Sequence, residues 1–188
     1  MAIPKNTKIP ESSSQFAKLK DGVNRFRFLS DVVTGWEGWK NQKPFRHEGD
    51  VCKIKPEQVD LNQNGNPNIN YFWAMVVWNY QESKIQVLEI TQKTIMNPLY
   101  NLEQSEDWGD LKNYDVEIIR SKVGDKVNYT VQAIPPRQLK EEIKKSFSES
   151  KVELKKIFEG DYPMPTKKIG DTDIDYPAED INVDEIPF

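Results

Sequence analysis

The chain has 188 residues, 30 of them acidic and 26 basic, for a formal net charge of -4 and a mean hydropathy of -0.74. That length gives one ordinary domain plus appendages, and no apolar run approaches what is needed to span a bilayer. The single cysteine, Cys52, excludes a disulfide framework and fits a reducing compartment.

Residues 1–20 are polar, with Pro4, Pro10 and a serine run, and read as a flexible arm. They lack an apolar leader segment, so a cytoplasmic protein is expected. Val23 to Val33 alternates Phe26 and Phe28 with Arg25 and Arg27, the period-two pattern of a strand with one core face and one cationic face. Gly35 to His47 then gathers Trp36, Trp39 and Phe45 with Lys40, Lys43 and Arg46 on a Gly- and Pro-broken stretch. Rings interleaved with cations suit a single-stranded nucleic acid, since bases stack on rings while Lys and Arg meet phosphates. Satellite packing beside the core is the competing reading.

Residues 47–68 are turn-rich and read as a long insertion after strand 1. Ile69 to Tyr80 is the strongest strand and is apolar on both faces, so one face should line the core and the other should be covered. Trp73, on this strand, joins the stacking candidates. Lys84 to Thr91 returns as a strand. Gln92 to Glu106 follows as a short helix interrupted by Pro98, and strands at 114–122 and 126–134 flank Val123-Gly124-Asp125. Strand, insertion, strand, strand, helix, strand, strand is the element order of an OB-fold five-stranded barrel over residues 21–135. Periodicity alone also admits a small meander or sandwich.

Arg137 to Glu159 reads as one C-terminal amphipathic helix, within a segment 136–160, ended by Gly160. Residues 161–188 form an acidic tail read as disordered. It has seven acids and no base after Lys168, which leaves residues 1–168 at about +3, with 26 basic side chains against 23 acidic ones. The tail closes on Asp184, Glu185, Ile186, Pro187 and Phe188, a charged hook with two large apolar side chains and a stiffening proline.

These residues carry a resemblance. Asp-Glu-Ile-Pro-Phe is similar to the acidic tip of bacterial and phage single-stranded DNA-binding proteins, although Val183 stands where many tips have a further acid. The run VLEITQKTI…EDWGD…YDVEIIR…YTV resembles the phage helix-destabilising proteins over about residues 20–135. The resemblance implies binding and protection of single-stranded DNA in replication, recombination or repair. It also implies recruitment of protein partners through residues 184–188, with the host cytoplasm as location if the chain is phage-encoded. Some relatives carry a zinc ribbon in a comparable insertion. One His and one Cys, His47 and Cys52, fall short of the four ligands such a site needs, and no metal or cofactor is expected. The sequence has no clustered carboxylates at metal spacing outside the tail, no phosphate-cradling glycine loop and no Cys/His nucleophile pair, so no enzyme is expected. An RNA-binding or adaptor OB module is the alternative, because stacking is indifferent to the 2′-hydroxyl.

Overall fold

The computed structural model describes residues 14–165. The fold is mainly β, built on a seven-stranded antiparallel sheet with few helices. The strands are β1 (Gly22–Phe28), β2 (Val33–Lys40), β3 (Lys43–Glu48), β4 (Ile69–Asn79), β5 (Lys84–Ile90), β6 (Asp115–Val123) and β7 (Lys126–Ala133). They run β3-β2-β4-β1-β6-β7, with β5 on the other edge of β4. Among the described residues no pairing joins β5 to β7, so the sheet is open.

β4 is the strand around which the others are arranged. Its first half pairs with β2 (Trp36 with Tyr71) and its last residues pair with β1 (Phe28 with Val77). The expected strand 23–33 is therefore interrupted. At the bend, Leu29 N and Val76 N are both satisfied, by Val76 O and by the Ser30 hydroxyl, each at 2.9 Å.

The stretch 35–47, read as Gly- and Pro-broken, is a β-hairpin. Asn41 and Gln42 both take positive φ (51° and 62°), which matches the twist of a tight two-residue hairpin turn. Its glycines are strand residues held small by neighbours. A Cβ on Gly38 would stand 2.7 Å from Val59 and 2.8 Å from Phe45, and one on Gly35 would stand 2.8 Å from Phe158.

Alternation along β4 gives two cores. Met75 and Val77 face one, with Phe26, Phe28, Leu88, Ile90, Val116 and Ile118. This core is closed by helix α1 (Lys93–Glu103) through Ile95, Met96 and Leu99. Phe72 and Ala74 face the other, where Ile157 and Phe158 cover them. The second apolar face of this strand is thus covered by the chain itself.

The single helix expected over 137–159 is two pieces, α2 (Glu141–Ser150) and a 3-10 turn (Leu154–Glu159). The hydroxyls of Ser146, Ser148 and Ser150 donate back to carbonyls three or four residues earlier, a competition that weakens a helix, and Lys151 then turns left-handed at φ 46°. The break rotates Ile157 and Phe158 onto Phe72. The arm expected to be loose is tied to the sheet from Gln15 onward, where Val87 N donates to Gln15 O and Ala17 N to Val87 O, both at 2.8 Å. Among the described residues no helix is long and apolar enough to cross a membrane.

Candidate nucleic-acid interface

The residues predicted to bind DNA separate into three places. Arg25 and Arg27 belong to a charge knot under β1. Asp115, buried at the start of β6, accepts from the Arg25 guanidinium at 2.5 Å and from Arg27 Nη1 at 3.1 Å, and it also accepts from the Tyr80 hydroxyl at 3.1 Å. Arg27 further donates to the carbonyls of Lys112 (3.0 Å) and Arg137 (2.8 Å) and is itself buried. It is unavailable to phosphates, contrary to the expectation from alternation. Arg25 is partly exposed, lies 5.0 Å over the Tyr80 ring, and has its pKa raised chiefly by the hydrogen bond to Asp115.

The hairpin sends its rings to opposite faces. On one face, Trp39 donates its Nε1 to Glu37 at 3.1 Å. Beside it Arg46, only 10% exposed, meets Glu89 at 2.9 Å and Glu37 at 3.5 Å and lies 5.5 Å over Phe72. Two acids to one base leave this patch negative. Burial pushes the Glu89 carboxyl up, Arg46 opposes that shift, and Glu37 adds to it. Trp39, Lys43, Phe16 and Tyr162 line a cleft of about 530 Å³ over the patch. Arg46 is thus a packing cation, and Trp36 and Trp39 cannot serve one surface.

On the other face, Trp36 stands beside Tyr71, their ring centroids 5.2 Å apart and tilted by 57°. Asp50, from the loop after β3, fixes both rings: its carbonyl accepts from Trp36 Nε1 at 3.0 Å and its carboxylate from the Tyr71 hydroxyl at 3.1 Å. Trp73 follows on the same face of β4, two residues along and opposite Thr34 of β2. In the other direction Gly38 meets Phe45, Ile54 and Val59. Phe45 is therefore half-buried in satellite packing, the reading that competed with stacking, while His47 is exposed at the edge.

Lys40 and Lys43 flank the hairpin turn, exposed as expected. Two further exposed cations, Lys53 and Lys55, bracket the buried Ile54 on the loop over this face. Among the described residues none of these four lysines makes an ion pair. Tyr71, Lys53 and Lys55 were missed from sequence. Tyr71 shares the parity of Trp73, and Lys-Ile-Lys around one apolar anchor is a readable signal. Cys52 donates its thiol to Ile54 O at 3.6 Å. Residues 184–188 lie outside the described residues.

No protein-family model matches the chain, and neither a curated protein nor a solved structure matches it.

Proposed function

We propose that the chain binds and protects single-stranded DNA through the Trp36–Tyr71 face, as a phage-type protein of replication, recombination or repair. The observation that carries this reading is a fixed, partly open pair of rings on a sheet face whose flanking turn and loop carry Lys40, Lys53 and Lys55, none of them in an ion pair among the described residues. Rings offer stacking that tolerates any base, and unpaired lysines offer the phosphate contacts that such stacking needs. Duplex DNA, with its bases already stacked, has little use for the rings.

The reading extends to the fold. If β1 and β2 are one bent strand along the same edge of β4, the elements follow the OB order, with β3 and the loop to residue 68 as the insertion. Barrel closure between β5 and β7 belongs to the proposal. The Asp184–Phe188 motif adds recruitment of replication or repair proteins, an apolar hook with an acidic approach for a pocket with a basic rim.

The test is fluorescence anisotropy of labelled oligo-dT, oligo-rU and duplex of equal length. Oligo-dT should bind well above duplex, and Trp36→Ala and Tyr71→Ala should each weaken it by about 1–3 kcal/mol, the worth of one stacked base. Duplex binding equal to oligo-dT would reject the proposal, and preference for rU would move the function to RNA.

A further inference from the structure

The aromatic row does not end at Tyr71. Trp73 and Thr34, the next pair along the same face, form one wall of a pocket of about 250 Å³ between the β1–β2 bend, α1 and the turn at residues 110–112. Phe28, Leu99 and Leu111 make its floor apolar, and the exposed ring of Tyr100 stands at its side. The volume falls below the roughly 300–1,000 Å³ of pockets for drug-sized ligands, and is the scale of one flat ring system.

Its polar groups are unbalanced. Glu103, Asp110 and Asp31 bring three carboxylates to the rim against one cation, Lys112. Lys112 pairs with Asp31 and, at 3.5 Å, with Asp110. One oxygen of Glu103 accepts from Leu111 N at 2.8 Å, and its other oxygen has no hydrogen-bond partner among the described residues. The rim therefore repels phosphate and attracts N–H donors. Trp73 adds the opposite need, since its Nε1 is buried and has no acceptor among the described residues. A buried donor left unpaired is costly, and an acceptor brought into the pocket relieves that cost once the indole turns to meet it.

We propose that this pocket takes one nucleobase of the bound strand, and that the base is cytosine. The ring slides between Trp73 and Tyr100 onto the apolar floor. Its exocyclic amine donates to the Glu103–Asp110 rim, and its ring carbonyl accepts from Trp73 Nε1. Thymine presents a carbonyl where the amine is wanted and faces the carboxylates unpaired. Adenine offers an amine but no carbonyl for the indole, and guanine, which offers both, is the base that the single-dG oligomer sets against cytosine. The inference rests on strand binding at the Trp36–Tyr71 face and adds a modest composition preference to stacking that otherwise tolerates every base.

The test compares oligo-dT with the same oligomer carrying a single internal dC, dA or dG, by competition against labelled oligo-dT. One dC should tighten binding roughly tenfold, the scale of a hydrogen bond to a charged group. Trp73→Phe and Glu103→Gln should each bring the dC to dT ratio toward one, the second without emptying the wall of its ring. Equal affinity for all four oligomers overturns the pocket while leaving strand binding standing. A purine preference, or a dC preference that survives both substitutions, overturns it as well. If no oligomer binds, strand binding and pocket fall together.

Discussion

At the scale of the residue, Asp115 explains why two of the most conspicuous cations are held against the sheet, Arg27 buried and Arg25 partly so. Three groups converge on its carboxylate, and it is buried, so the knot lives on mutual compensation of charge. Removing the acid leaves a buried Arg27 uncompensated. Asp115→Ala should cost about 3–5 kcal/mol of stability in chemical denaturation, the range for one partner lost from a buried pair. Loss of under about 0.5 kcal/mol, the size of an ordinary surface change, would show that water reaches the knot. From sequence, Arg25 and Arg27 were legible as strand residues alternating with Phe26 and Phe28. Their partner lies about ninety positions away across β1–β6 pairing, which no local pattern reveals. The same holds for Arg46, whose partner Glu89 sits on β5.

At the scale of the element, the hairpin β2–β3 positions the candidate interface, and Gly38 lets the loop lie on it. The residue has no unusual φ, so its smallness answers to Val59, Phe45 and Ile54 rather than to backbone conformation. Gly38→Ala should destabilise by about 1–3 kcal/mol through overpacking and push away the loop that carries Lys53 and Lys55. Oligo-dT affinity should fall with it, by a factor that shrinks in high salt as the lysines are screened. An alanine variant with unchanged stability and affinity would detach the loop from the interface. The strands β4, β5, β6 and β7 and helix α1 were legible because each keeps one period between clear turns. The hairpin was not, because Gly35, Gly38 and Pro44 look like breakers, and Asn41-Gln42 lacks the usual turn glycine. The reason for both glycines is close packing: the His47 carbonyl and Phe158 close in on Gly35, and the loop closes in on Gly38. The C-terminal helix was read through its apolar spacing, which survives, while the serine competition that splits it was overlooked.

At the scale of the whole molecule, the sheet presents two faces of opposite character beside the hairpin. One holds Trp36, Tyr71 and the lysine loop; the other holds Trp39 above Glu37, Arg46 and Glu89. The ring and cation content of this candidate face was legible from the sequence. Which rings share a face was not, since that depends on register between strands about thirty-five residues apart. The five tryptophans make the distinction measurable, because each indole N–H gives one nuclear magnetic resonance signal and they are spread over the fold at positions 36, 39, 73, 78 and 108. The most direct measurement is the indole region of a ¹⁵N–¹H spectrum recorded while oligo-dT is added. The signal of Trp36 should shift to saturation as the strand stacks, while those of Trp39, behind the sheet, and Trp108, packed at 5.2 Å against Tyr114, stay in place. A spectrum in which Trp39 shifts and Trp36 does not would contradict the account and put the strand in the cleft on the opposite face.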